Sequence, residues 1–210
     1  MNHETPHRDL IVLTADKNAQ FAIRGIMSRH KSLGIRNNIT TDFHVHSNRD
    51  PGVLRDAHHF LRSFCHSHQH ALVVFDREGC GRKDGREDLE GEVEANLSQS
   101  GWDDRARVIV IDPELEVWVW SDSPHVSKEL GWKDCEPDLR TWLTENGFFQ
   151  EGASKPERPK EAVEAVLRQV RVPRSSAIYE SLAKKVGFSR CQDQAFEKLK
   201  NVLQEWFAET

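Results

Sequence analysis

Four short apolar runs, each followed by a segment with helical spacing, constrain the fold of this chain more than any other feature of its sequence. The runs lie within residues 10–15, 39–45, 71–76 and 106–111. Strands that alternate with helices form βα units, in which the strands pair in parallel and the helices cover the sheet. Nearly continuous apolar runs are typical of strands that are buried on both faces. The sequence therefore predicts an α/β fold with a mostly parallel sheet flanked by helices.

The pattern changes to helices alone from about residue 136. A short helical segment is followed by a polar, proline-bearing loop and then by three more helical segments. The last of these carries one apolar stripe, made of Phe196, Leu199, Val202, Leu203, Trp206 and Phe207. Such a stripe needs a surface to pack against. We expect an α/β domain in residues 1–135 and a helical C-terminal extension, residues 136–210, packed on it.

Composition and charge exclude several classes of protein. The chain has 210 residues and a net charge of −5, so it is not a polycation that coats nucleic acid. It has no run of 18 apolar residues, which predicts no transmembrane helix. Its first ten residues do not have the pattern of a secretory signal. The four cysteines form no CxxC pair and are expected to be reduced, which favours a cytoplasmic protein.

Acidic residues directly follow three of the four predicted strands. Asp16 follows the first strand, and Asp76 and Glu78 follow the third. Asp112 and Glu114 follow the fourth. The carboxyl ends of parallel strands meet at one edge of a sheet, where such folds bind ligands. We therefore expect these acids to lie near one another.

The stretch FDREGCG supplies the best candidate for a cation site. Asp76 and Glu78 carry the oxygen ligands that Mg²⁺ prefers, and the glycines beside them allow close approach of the backbone. A bound cation would orient a phosphate and activate water. The alternative is a solvated loop in a chain with 34 acidic residues. Glu114 and Glu116 either join this site or complement the positive end of a helix that begins near Pro113.

Four segments of the chain resemble the Toprim-like proteins that are encoded beside bacterial defence genes. They read LIVLTADKNAQFAIRGIM, ALVVFDREGCG, VIVIDPELEVWVWSD and AFEKLKNVL. The likeness covers most of the chain, and PELEVWVWSDSP is its most specific part. Within that group the chain looks like a component of a methylation-associated anti-phage defence system. The resemblance implies a compact Toprim-like domain with four parallel strands and partners among the other subunits of such a system.

The resemblance also implies a set of site residues. In Toprim domains, a glutamate after strand one and paired acids after strand three bind Mg²⁺ or Mn²⁺. Asp76 and Glu78 match the paired acids, and Glu116 matches the glutamate before the tryptophan. Strand one departs from the family pattern, because Asp16 is the only acid there. The implied metal ligands are Asp76, Glu78 and Glu116, and the implied catalytic residues are Asp16 and Glu116.

Basic residues near these acids are candidates for contacts to phosphate. Lys17 directly follows Asp16. Arg77, Arg82 and Lys83 follow the third strand in a stretch that contains several glycines. A mobile loop with such cations would meet phosphate groups beside the acidic site, whereas a solvated turn would leave them in water.

Two hypotheses for the function follow. The first is metal-dependent cleavage of phosphodiester bonds in nucleic acid, with Mg²⁺ or Mn²⁺ held by the strand-end acids. The second is a non-catalytic defence subunit that binds a partner protein or nucleic acid. The retained acidic motifs favour the first hypothesis, and the missing glutamate after strand one favours the second.

The histidines suggest a third, weaker alternative. His44 and His46 form an H-x-H after an apolar run, as in the first motif of the PHP-type metal hydrolases, and strand alternation places both on one face. The later histidine and acid motifs of that family do not have matching flanks here. The group CHSHQH, residues 65–70, has ligand types for zinc, but its spacing is unlike that of a tetrahedral site. We expect His44 and His46 not to bind a metal together.

Overall fold

The prediction of an α/β fold with a parallel sheet is confirmed. The computed structural model describes residues 8–150, 152–188 and 191–209, so part of the N-terminal segment tested for a secretory signal, residues 1–7, lies outside the described residues. The strands are β1 (Arg8–Thr14), β2 (Thr41–Val45), β3 (His68–Asp76) and β4 (Ala106–Ile111). They form one sheet in the order β2-β1-β3-β4, and every pair is parallel.

Helices connect the strands as βα units require. These helices are α1 (Lys17–Met27), α2 (His30–Leu33), α3 (Arg49–Leu61) and α4 (Arg86–Leu97). Alternate residues of β1 show how the sheet is covered: Leu10 and Val12 pack on α1, whereas Ile11 and Leu13 pack on α3 and α4. Burial on both faces accounts for the continuous apolar runs of the sequence.

Helices that follow β4 complete the apolar core on the α1 side of the sheet. They are α5 (Pro124–Glu129), α6 (Leu139–Glu145), α7 (Pro159–Gln169), α8 (Ser176–Lys185) and α9 (Gln194–Phe207). Most of the apolar stripe of α9 is buried, with Leu199 and Leu203 fully inaccessible and Trp206 partly buried. These residues share one core cluster with Leu10 and Val12 of the sheet. In the described part of the chain, no helix is both long and apolar enough to cross a membrane.

Two glutamates of α4 accept hydrogen bonds from backbone N–H groups at the outer edge of β4. The backbone N–H groups of Val108 and Val110 donate to Glu94 and Glu90, at 2.9 and 3.0 Å. Lys198 of α9 donates to both carboxylates, at 3.0 and 3.1 Å. Unpaired edge groups invite pairing with other chains. The glutamates cap this edge of the sheet, and they also hold α9 against it.

Candidate functional site

Three aspartates lie at the carboxyl ends of the strands, at the point where the connections from β1 and from its neighbour β3 lead to opposite sides of the sheet. The chain leaves β1 for β2 on one side, and β3 lies on the other side of β1. Such a switch point opens a crevice at the carboxyl ends of the strands. Asp16 follows β1, Asp76 ends β3, and Asp50 lies in the first turn of α3. Asp50 contacts Asp76 directly, through a hydrogen bond from the backbone N–H of Asp76, and the charges of Asp50 and Asp16 both contribute to the raised pKa of Asp76.

Backbone N–H groups hold each of the three carboxylates in place. Asp16 caps α1 by accepting from the N–H of Ala19 at 2.8 Å. Asp50 accepts from the N–H of Asp76 at 2.8 Å, and Asp76 accepts from the N–H of Leu115 at 3.0 Å. In each case one carboxylate oxygen is fixed by the backbone. The side chains are therefore oriented by the ends of the strands and helices themselves.

Gly79 is needed for the close approach of Asp50. A Cβ atom at position 79 would lie 2.7 Å from Oδ2 of Asp50, which is closer than real Cβ contacts. The glycine after the acidic pair of β3 thus makes room for a carboxylate from α3.

The crowding of negative charge shows in the pKa values. Burial raises the pKa of Asp76 well above its usual value, and the charges of Asp50, Glu116 and Asp16 raise it further. Burial also raises the pKa of Asp50, with a contribution from Asp16. Burial and the charge of Glu116 raise the pKa of Glu114. A cation in the crevice would relieve this repulsion.

Without metal, Asp76→Asn is expected to gain stability relative to wild type as the pH rises above about 4. The folded-state pKa of Asp76 is raised above the ordinary value of 3.8. Protonated Asp76 therefore stabilises the fold at low pH, and this stabilisation is lost as the pH rises through the raised pKa. Asparagine does not titrate, so the free energy of unfolding of the variant does not contain this pH-dependent loss. Unfolding by urea in EDTA across this pH range measures the difference in free energy. A difference that is independent of pH would contradict the assignment.

Glu116, a predicted catalytic residue and metal ligand, is bound by two residues that lie late in the chain. Its side chain is only 2% exposed. Arg174 pairs with the carboxylate, and the hydroxyl of Tyr179 donates to the same oxygen, Oε1, at 2.6 Å. Burial, followed by the charge of Glu116, raises the pKa of Tyr179, which keeps its proton for this bond. Glu116 therefore faces an internal cation.

The neighbouring side chains of the same segment also bind the late helices. Glu114 accepts from the backbone N–H of Lys160 at 3.1 Å, and the ammonium group of Lys160 lies 3.4 Å from its other oxygen. The indole N–H of Trp118 donates to Asp193 at 2.9 Å. The indole N–H of Trp120 donates to the carbonyl of Pro159 at 3.0 Å. The stretch ELEVWVW thus fastens the late helices to the carboxyl end of the sheet.

Glu78 and the predicted phosphate contacts are exposed or are paired with acids outside the group of three aspartates. Glu78 starts a 3₁₀ turn and is exposed. Lys17 and Lys83 are also exposed. Arg77 is engaged by Asp112 at 2.6 Å, and Arg82 by Asp84 at 2.7 Å. Within residues 8–150, 152–188 and 191–209, no group of three or more His, Cys, Asp or Glu side chains is already arranged to hold a metal ion.

The sequence analysis missed four residues of this region. Asp50 lies in the motif RDPG, which is typical of a turn that begins a helix. This role explains the aspartate without a function for its carboxylate, so the sequence did not indicate a site residue here. Lys160 and Tyr179 lie in α7 and α8, and Arg174 lies in the loop between these helices, all far along the chain. An acid beside a proline at the start of a helix that follows a strand was the one available signal for Asp50.

The histidines are dispersed among different partners. The ring of His44 packs on Phe60 and Phe64, with centroids 5.5 and 5.3 Å apart. His46 accepts from the backbone N–H of Asn48 through Nδ1, at 3.2 Å. His68 pairs with Asp42 at 3.0 Å, and His70 stacks on Trp206 at 4.4 Å. Ring packing accounts for His44 and His70, and polar contacts account for His46 and His68.

The purified protein is expected to hold no stoichiometric zinc at His44 and His46. The ring of His44 lies between two phenylalanines, and Nδ1 of His46 is already used by the backbone. Elemental analysis of wild type and of the His44→Ala/His46→Ala variant tests this. One zinc per chain that disappears in the double variant would revive the PHP-type hydrolase alternative.

Comparison of the chain with family models, curated proteins and solved structures finds no match.

Proposed function

We propose that the crevice between Asp16, Asp50 and Asp76 binds a divalent cation, Mg²⁺ or Mn²⁺. The observations that support this are the direct contact of Asp50 with the backbone N–H of Asp76, at 2.8 Å, and the raised pKa of Asp76, which burial raises most and the charges of Asp50, Glu116 and Asp16 raise further. Carboxylates fixed by backbone N–H groups have one oxygen oriented and the other left for a further ligand. Hard oxygen ligands of this kind suit Mg²⁺. Glu78, which is exposed and lies two residues after Asp76, is proposed as a further ligand.

The proposed reaction is the cleavage of phosphodiester bonds in nucleic acid. The bound cation supplies orientation of the phosphate and activation of water. Asp76 and Asp50 would hold the cation, and Asp16, which is partly exposed, would accept a proton from the attacking water while the P–O bond to the leaving oxygen breaks and that oxygen takes up a proton from solvent. Exposed Lys17 and Lys83 contact the phosphates of the substrate. Arg77 and Arg82 have acidic partners at present and would have to exchange them for phosphate.

Glu116 is left out of this proposed cation site. Its carboxylate is paired with Arg174 and accepts the Tyr179 hydroxyl. An incoming cation would have to displace a buried ion pair. Glu116 therefore acts on the site from a distance, through its charge and through the helices it holds.

The pairing of Glu116 with Arg174 and Tyr179 favours a second candidate function. A chain whose Glu116 fastens the late helices, and whose strand one ends in Asp16 and not in glutamate, fits a non-catalytic subunit that binds a partner protein or nucleic acid. The resemblance to Toprim-like defence proteins supports an anti-phage setting, in the cytoplasm, for either candidate. Other subunits of the same defence system are the proposed partners.

A cleavage assay separates the two candidates. Purified protein is incubated with single-stranded and double-stranded DNA and RNA, in Mg²⁺, in Mn²⁺ and in EDTA. Metal-dependent products that are absent with Asp76→Asn support the enzyme. Asp56→Asn, on the same helix as Asp50, is the matched control and should keep wild-type activity. Binding of nucleic acid without cleavage under all metal conditions would favour the non-catalytic subunit.

A further inference from the structure

We infer that the outer edge of β2 pairs with the same edge of a second copy of this chain, as two antiparallel strands. β2 (Thr41–Val45) is the end strand of the sheet, and among the described residues its one sheet partner is β1. All five of its side chains are partly exposed. End strands carry unpaired backbone groups that another strand can bind. The pairing would join two four-stranded sheets into one continuous sheet.

The hydrogen bonds at the two ends of β2 show which of its backbone groups face outward. The C=O of Thr40 and the N–H of His46 bond to β1, at 3.1 and 2.9 Å. In a parallel pair, alternate residues of a strand direct their N–H and C=O groups to the same neighbour. The even-numbered residues between these two therefore bond to β1. The backbone groups of Thr41, Phe43 and Val45 face away from the sheet.

The two outer edges of the sheet differ in how they are protected. On β4, Glu90 and Glu94 accept hydrogen bonds from the backbone N–H groups of the edge. On β2, no side chain in the described part of the chain accepts from the N–H of Phe43 or of Val45. The strand also contains neither lysine nor proline, which natural edge strands use to discourage pairing. The edge of β2 is thus open where that of β4 is capped.

The sequence of β2 is complementary to itself, which favours a second copy as the partner. A two-fold axis at Phe43 places this residue opposite its own copy and places Thr41 opposite Val45 of the second copy. It also places the carboxylate of Asp42 opposite the imidazole of His44, at the closer spacing of an antiparallel pair. Opposite-charge and aromatic pairs across strands are stabilising. This register pairs every residue of the strand.

The contacts that these side chains already make are compatible with the new pair. The side chain of Asp42 is 35% exposed, and its two oxygens have one partner each, Arg8 at 2.6 Å and His68 at 3.0 Å. A carboxylate has about four lone-pair sites, so it can accept a further bond. His44 is partly exposed. Arg8 also donates to the C=O of Thr41, at 3.4 Å, which is a long and weak bond that a second strand can replace.

Sedimentation velocity of the full chain tests the association. Interfaces that bury less than about 1,200 Å² form weak complexes, so we expect wild type to be monomeric near 1 µM and about half dimeric near 100 µM. Val45→Pro should abolish the dimer, because it removes an outward N–H and leaves the bonds to β1 in place. A wild type that stays monomeric at about 1 mM overturns the inference. A dimer that persists unchanged in a folded Val45→Pro variant overturns the choice of surface.

Cysteine cross-linking tests the register and does not depend on the proline variant. The partly exposed native thiols are first removed by Cys135→Ser and Cys191→Ser. Phe43→Cys then places a thiol opposite its own copy, with Cα atoms about 5.5 Å apart, a distance that a disulfide spans. Mild oxidation should give a disulfide-linked dimer. Thr41→Cys is the matched control and should give none, because it lies opposite Val45. Cross-linking of both variants to the same extent, or of neither, overturns the pairing about Phe43.

Discussion

Replacing Asp76 by asparagine is expected to lower metal-dependent cleavage of nucleic acid at least a hundredfold, which corresponds to about 2.7 kcal/mol of activation free energy. The amide still accepts the N–H of Leu115, so the local backbone is retained. It loses the negative charge that Asp76 contributes to the crevice with Asp16 and Asp50. Initial rates at saturating Mn²⁺ measure the effect. Asp56→Asn is the matched control, and equal rates in the two variants would contradict a role for Asp76.

The same substitution should leave the folded protein at least as stable as wild type when no metal is present. Asparagine has no charge to bury and no repulsion from the neighbouring acids, and it is burial first and this repulsion second that raise the pKa of Asp76. Added Mn²⁺ should raise the Tm of wild type by mass action and should change that of Asp76→Asn little. Thermal melts with and without Mn²⁺ thus test binding separately from catalysis. A wild type that shows no shift at millimolar Mn²⁺ would favour the non-catalytic subunit.

Replacing Arg174 by methionine is expected to lower the free energy of unfolding by about 3 kcal/mol. The substitution leaves the carboxylate of Glu116, which is 2% exposed, without its cation. It also removes the bond to Tyr179 at 2.9 Å and the contact with Glu164. Loss of one partner from a buried pair costs more than loss of both. Arg174→Met/Glu116→Gln should therefore recover part of the stability.

Arg168→Met is the matched control for this experiment. Arg168 lies on the exposed side of α7, and its replacement should change the free energy of unfolding by less than about 0.5 kcal/mol. Urea unfolding of the three variants and wild type gives the comparison. Equal losses for Arg174→Met and Arg168→Met would show that the pair with Glu116 does not fasten the late helices.

The sequence predicted the fold well because burial leaves a local signature. Residues 10–15 and 71–76 are apolar at nearly every position, since α1 covers one face of the sheet and α3 and α4 cover the other. The placement of Asp16 and Asp76 at one edge follows from parallel pairing alone. These are consequences of periodicity and chain direction, which a single sequence carries.

The partners of the acids could not be predicted in the same way. Glu116 and Arg174 are 58 positions apart, and the sequence pattern around one residue does not predict a contact with the other. Pairing between distant segments depends on how α7 and α8 pack, which apolar periodicity leaves open. Asp50 was hidden for another reason. Its position before Pro51 is typical of the start of a helix. A residue with that role gives no sign in the sequence that its carboxylate also lies beside Asp76.

Titration with Mn²⁺, followed by the electron paramagnetic resonance signal of the free ion, tests the central claim most directly. The account predicts that wild type binds one Mn²⁺ per chain at millimolar concentrations. It predicts that Asp76→Asn and Asp50→Asn each weaken this binding at least about tenfold, and that Asp56→Asn leaves it unchanged. A wild type that binds no Mn²⁺ at these concentrations, or Mn²⁺ binding that survives Asp76→Asn unchanged, would contradict a cation site at the switch point of the sheet.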